Sequence, residues 1–136
     1  MNMTIEELLE TPYWVIDPLP EQVPADSPGQ YFAVEEYFLA VERLAALKEK
    51  HIRIVLKLNC YRDLHIDEEE IPNPPPQRIA EAMRRRHVCL RFGDSLLISR
   101  PDDPGMTLYH PDEKLLALTE RLAAAEGLFV WQPPKM

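Results

Sequence analysis

The sequence predicts an α+β domain, a two-layer sandwich of about five short strands with two long and two short helices. Three observations carry this expectation. Some stretches place apolar residues at helical spacing, while shorter ones alternate apolar and polar residues or run β-branched and aromatic. Proline, at 14 of 136 residues against only 4 glycines, gathers between these stretches. A chain of 136 residues has the size of one domain. With 46% hydrophobic residues it can bury enough apolar surface to fold. Residues 1–136 are therefore read as a single domain with proline-rich arms at 18–30 and 59–76.

Thr4 and Glu7 have the spacing of a capping box and open a short helix over Ile5–Glu10. Thr11 and Pro12 stop it, and the β-rich run Tyr13–Ile16 forms a strand that Asp17 and Pro18 close. Pro18, Pro20, Pro24 and Pro28, with acids between them, exclude regular hydrogen bonding and predict an extended arm. Ser27 as N-cap and Pro28 at the first helical position then open the longest helix, to about Lys50, with Tyr31, Val34, Phe38, Val41 and Ala45 on one stripe. Ile52, Ile54, Leu56 and Leu58 alternate with Arg53, Val55 and Lys57, the pattern of a strand with one buried face.

Asn59–Pro76 combines the acidic run Asp67–Glu70 with Pro72, Pro74, Pro75 and Pro76, which predicts an exposed arm. Gln77–Arg86 reads as a short helix with Ile79, Ala82 and Met83 inward. Its last turn holds Arg84, Arg85 and Arg86, where cations meet the negative end of the helix dipole. Val88, Leu90 and Phe92 alternate with polar neighbours, Gly93 and Asp94 turn the chain, and Leu96–Arg100 returns as the second arm of a hairpin. Thr107–Tyr109 adds a brief extended piece. Asp112–Glu126 is the second long helix, with Leu115, Leu118, Leu122 and Ala125 at core spacing and Gly127 as its stop. Leu128–Trp131 supplies a final strand. With residues 59–87 set aside as an insert, the order is similar to a ferredoxin-like split βαβ with one additional strand.

The net charge of −8 argues against nucleic acid and against a polybasic membrane contact as partners. Residues 51–100 nevertheless carry 9 basic and 7 acidic side chains within this acidic chain. Either these cations pair internally, or they form a site. On the predicted sheet Arg53 and Lys57 would share an open face with His87 and Arg91, with Trp131 adding an aromatic, and that surface suits an anion, a nucleotide or a partner's acidic segment. No apolar run reaches the length of a membrane span, and the N-terminus has acids where a signal peptide has cations, so a cytoplasmic protein is expected. Two cysteines, Cys60 and Cys89, form no disulfide framework.

Phosphate-binding glycine loops, G-x-S-x-G and H-E-x-x-H are absent from the sequence. Cys60 with His65, or Cys89 with His87, is the only thiol–imidazole pairing close in sequence, and neither has a catalytic context. No cofactor, metal ligand or catalytic residue is assigned.

The stretches TPYWVIDPLPEQVPADSPGQYFAVEEYFL (Thr11–Leu39), LKLNCYRDL (Leu56–Leu64) and MTLYHPDEKLLAL (Met106–Leu118) resemble a family of small uncharacterised bacterial proteins, a domain of unknown function. The resemblance implies a bacterial cytosolic protein and carries no ligand or catalytic residue. The reading from the residues is a non-enzymatic protein-interaction or regulatory module that contacts another protein through its proline-rich arms and open sheet face. One version, suggested by the charge of −8, is an acidic antagonist of a basic toxin or enzyme. The alternative is a small-anion or nucleotide-binding domain, an enzyme among its forms, built on the basic sheet face. Homodimerisation through that face is a third arrangement, and the arms have either a partner or the domain's own surface to pack on.

Overall fold

A computed structural model describes residues 3–134 of the chain. It shows an α+β fold in which one six-stranded sheet, every neighbouring pair antiparallel, packs against helices. The elements are α1 (Ile5–Leu8), β1 (Tyr13–Asp17), α2 (Tyr31–Leu39), α3 (Val41–Asn59), β2 (His65–Ile66), α4 (Pro76–Arg85), β3 (Val88–Phe92), β4 (Ser95–Ser99), β5 (Met106–Tyr109), α5 (Glu113–Ala125) and β6 (Phe129–Trp131). Strand order is β2-β3-β4-β5-β1-β6. No described helix is long and apolar enough to cross a membrane.

The local signals at the chain ends act as expected. Thr4 Oγ1 accepts from the Glu7 amide at 3.1 Å while the Glu7 carboxylate accepts from the Thr4 amide at 3.0 Å, completing the capping box of α1. Asp112 caps α5 by accepting from the Leu115 amide at 2.8 Å. Gly93 at the hairpin and Gly127 after α5 adopt φ of 64° and 74°, the left-handed backbone that glycine reaches without a Cβ clash.

The centre of the chain differs. Residues 52–58 are helical, the second half of α3, and Ser27 caps no helix. The alternation at Ile52, Ile54, Leu56 and Leu58 is overridden because Val55 interrupts it and no Gly, Pro or Asn separates these residues from Leu47 and Lys50. The buried set Leu47, Lys48, His51, Ile52, Ile54, Val55 and Leu58 follows the 3.6-residue period. The long helix expected over 27–50 is instead broken at Ala40, whose ψ of 139° ends α2 and starts α3. Arg43 fastens this corner: its Nε donates to the Tyr37 carbonyl and its guanidinium lies 3.6 Å from the centroid of the Tyr37 ring.

The loss of that strand also changes the topology. Only β5–α5–β6 keeps the split βαβ arrangement, with β1 lying between two parallel strands. The passage from β1 through the helices to β3 ends antiparallel, unlike a ferredoxin-like first half.

One sheet face meets α3, α4 and α5 through Ile16, Leu108, Leu97, Leu90, Val88, Phe92 and Ile66, all buried. On the other face α1 covers part of the sheet, where Leu8 packs with Leu96 and Ile98. The arm at 59–76 is built into this framework. Leu64 and Ile66 are fully buried, and β2 extends the sheet by pairing with β3. Two left-handed residues anchor it: Asp67 (φ 53°) accepts from the Cys89 amide at 3.0 Å, and Asn73 (φ 57°) accepts from the Leu64 amide at 3.0 Å. Asp and Asn tolerate this backbone better than other residues with a Cβ, which is why they stand there.

Between α3 and the end of β4 lies a buried polar strip. The Lys48 ammonium donates to Ser99 Oγ at 3.0 Å and to the Arg100 carbonyl at 2.8 Å, and burial pushes its pKa down to about 8. His51, one turn on, is fully buried with neither ring nitrogen hydrogen-bonded.

Candidate functional site

The five residues expected to form one basic surface are not brought together. Arg53 and Lys57 lie on the solvent side of α3, in the helical layer, where Glu126, just past the end of α5, takes both: Arg53 Nη2 at 2.8 Å and Lys57 Nζ at 3.7 Å. Arg91 lies on the outer face of β3, bonded to the Met3 carbonyl and to Asp94. Trp131 is on the outer face of β6, four strands away in the sheet, a separation of about 19 Å at ~4.8 Å per strand. His87 is exposed before β3. The physical reason is the helical state of residues 52–58, which moves Arg53 and Lys57 out of the sheet.

Internal pairing accounts for the basic excess of the middle third. Eight of its nine Lys and Arg side chains lie within 4.0 Å of a carboxylate. Arg84, for example, holds Glu49 of α3 through two bonds of 2.8 Å and so ties α4 to α3. Such exposed pairs are each worth about 0–1 kcal/mol, so their role is to neutralise and orient.

Among the described residues, neither the thiols nor the groove beside His110 places a nucleophile against a base. Cys60 ends α3, exposed, with its Sγ turned to the Leu56 carbonyl, and burial pushes the Cys89 thiol up, away from the thiolate a nucleophile needs. A groove of about 450 Å³ is lined in part by Arg62, Asp94, Ser95, His110 and Asp112. There Arg62 is clamped by Asp112 at 2.7 and 2.9 Å, Ser95 Oγ donates to the His110 carbonyl, and His110 Nδ1 faces the Asp94 carbonyl at 2.8 Å. These polar groups satisfy one another. Among the described residues no group of three or more His, Cys, Asp or Glu is placed to hold a metal ion.

The feature with no internal explanation is α2. Its sequence YFAVEEYFL has apolar residues on nearly every side, the composition of a helix enclosed by protein, yet none of its residues is buried. Phe38 packs against the core. Phe32 is 80% exposed, and Val41, just past the corner, is 85% exposed. At about 100° per residue Phe32 and Leu39 fall within about 20° of one line, with Glu35 and Glu36 about 50° to either side of it. An apolar stripe with an acidic border results.

Beside this stripe runs a narrow crevice of about 40 Å³ between α2, the end of β1 and the loop before β5. It is lined by Pro18, Leu19, Tyr31, Val34, Phe38 and Pro104, with Asp17 and Glu35 supplying carboxylates. Tyr31 donates to Glu35 at 2.9 Å, and the Leu19 amide donates to Asp17 at 3.0 Å. Burial raises the pKa of Asp17, opposed by the Leu19 amide and the nearby Trp131 indole and reinforced by the charges of Asp103 and Glu35. The arm at 18–30 leads into α2 and is exposed over most of its length, only Pro18, Leu19 and Val23 being half-buried. From residue 18 to residue 42 the chain has five acids and no Lys or Arg.

The single long helix expected over 27–50, with one stripe turned to the core, leaves no exposed apolar surface at residues 31–39. The signal was available in the apolar residues at 31, 32, 34, 37, 38 and 39, which are too many for one stripe. No protein-family model, no curated protein and no solved structure matches the chain.

Proposed function

We propose that the protein is a protein-interaction module whose binding element is α2 together with the proline-rich segment that precedes it. The observation that carries this reading is the exposure along one continuous element of a predominantly apolar helix, with Phe32 80% and the adjoining Val41 85% exposed. Burying a large apolar side chain gains about 1.5–3 kcal/mol, so leaving Phe32, Val41 and part of Leu39 in water is offset when a partner covers them. The Arg43 clamp and the packing of Phe38 hold the helix in place beforehand, which lowers the ordering cost of association. The second arm, which the core holds in place, is part of the scaffold.

The test compares proteins retained by the parent chain with those retained by a Phe32→Ser/Val41→Ser variant. Both side chains project into solvent, so the variant is expected to keep the parent's unfolding free energy to within about 0.5 kcal/mol. At least one protein captured in stoichiometric amount by the parent should then be lost from the variant. Identical capture by the two folded proteins would overturn the assignment of α2 as the binding element.

A further inference from the structure

We infer that the segment docking on α2 is a cationic amphipathic helix of another protein, its apolar stripe covering Phe32 and Leu39 and one Lys or Arg stem entering the crevice beside Asp17 and Glu35. This rests on the reading of α2 as the binding element and names the chemistry of its occupant. The arrangement of charge supports it. Glu35 and Glu36 flank the apolar line on both sides, Glu42 follows at the corner, and Glu21 and Asp26 lie in the arm, with no cation from residue 18 to residue 42. A partner helix with an apolar stripe bordered by Lys or Arg is complementary to that pattern in both shape and sign.

The crevice adds a second, independent match. Its walls are apolar and its carboxylates sit beside them, so it presents hydrocarbon to a methylene stem and negative charge to the head at its end. At about 40 Å³ it excludes a nucleotide or an aromatic ring and admits part of one unbranched side chain. Burial raises the pKa of Asp17, and the charges of Asp103 and Glu35 add to that in the same direction. A cationic head offsets those charges.

The same charges disfavour the other occupants. A second copy of this chain in a two-fold contact would set the same acidic edge, Glu35, Glu36 and Glu42, on both sides of the interface. The negatively charged surface of an anionic membrane would repel the same residues.

The probe is a set of three dye-labelled helical peptides of about 18 residues, long enough for about five helical turns, with one Leu stripe and Lys, Gln or Glu elsewhere. They are titrated against the full chain by fluorescence anisotropy. At low salt the Leu/Lys peptide is expected to bind at least about tenfold tighter than Leu/Gln, with that advantage shrinking as salt screens the charges, and Leu/Glu weakest. Phe32→Ser/Val41→Ser should weaken Leu/Lys binding by about tenfold or more. Glu35→Gln/Glu36→Gln should remove most of the Lys advantage and leave Leu/Gln unchanged. Glu68→Gln/Glu70→Gln, in the acidic run beyond β2, should change nothing.

Equal binding of Leu/Lys and Leu/Gln, both lost in the Phe32/Val41 variant, would overturn the cationic occupant while leaving α2 as the binding element. Leu/Lys binding that ignores the α2 variants, or falls equally in the Glu68/Glu70 variant, would overturn the inference as non-specific attraction to an acidic protein. So would the absence of any Leu/Lys binding. Preferential dimerisation in sedimentation, abolished by Phe32→Ser/Val41→Ser, would assign the surface to a second copy instead.

Discussion

His51→Leu is expected to stabilise the protein by about 1–2 kcal/mol at pH 7 and by about 4 kcal/mol at pH 4.5. His51 is fully buried on α3, and apart from a poorly aligned approach to the Pro104 carbonyl its ring nitrogens have no partner, so the folded state bears an under-satisfied polar group that Leu removes at similar volume. Burial, aided by the neighbouring Lys48 charge, lowers its pKa from 6.5 to about 3, against the weaker opposing influence of the Pro104 carbonyl. The unfolded chain therefore takes up a proton near pH 6.5 that the folded chain refuses until about pH 3. Between these values the unfolded state binds more protons, so stability falls as pH falls, by about 1.4 kcal/mol per unit. Other groups add their own acid dependence to both proteins, and the difference between variant and parent isolates His51. Urea unfolding at pH 7 and at pH 4.5 measures it. A difference that does not grow between the two conditions would show that His51 titrates normally.

Asn73→Ala is expected to cost about 2–3 kcal/mol, an effect out of proportion to an exposed loop residue. The Asn73 side chain accepts from the Leu64 amide at 3.0 Å and from Asn59 Nδ2 at 2.8 Å, and donates to Asp63 at 2.9 Å. Its own amide donates to the Leu64 carbonyl at 2.7 Å. It thereby holds the residue that leads into β2. Alanine loses all three side-chain bonds and must also adopt φ 57°, which costs a non-glycine residue about 1 kcal/mol. Asn73→Gly should recover that last part alone, leaving a loss about 1 kcal/mol smaller than in Asn73→Ala. Chemical denaturation of the two variants separates the conformational cost from the hydrogen bonds. An alanine variant as stable as the parent would mean that the arm packs without this anchor.

The arm illustrates what was legible and what was not. Proline and acid density marked residues 59–76 as irregular, which they largely are, but density alone carries no sign of where Leu64, Ile66 and Pro74 go. Their burial depends on β3 and on left-handed turns at Asp67 and Asn73, contacts made across the fold. The candidate surface was obscured in a related way. Arg53, Lys57, Arg91 and Trp131 shared a face only while residues 52–58 were counted as a strand, and once those residues are helical the cations meet Glu126 instead. Nothing in the sequence marks the corner at Ala40, because no Gly or Pro stands there and the Arg43–Tyr37 clamp operates between two helices.

What the sequence alone determined were the features set by neighbours in the chain. These are the α+β class, the capping box of α1, the start of α5 at Asp112, the hairpin at Gly93, the glycine stop of α5 and the prolines outside the long helices. Each depends on side chains within a few residues of the backbone groups they satisfy. The tertiary structure decided the state of residues 52–58, the place of the second arm, the pairing of the central cations and the exposure of α2. The physical reason is shared: an apolar residue fits a strand or a helix face equally well over a short run, and which one forms depends on the surface that remains to be covered. For α2 the fold supplies cover only for Phe38 and part of its neighbours, leaving an acidic-edged apolar stripe for a partner.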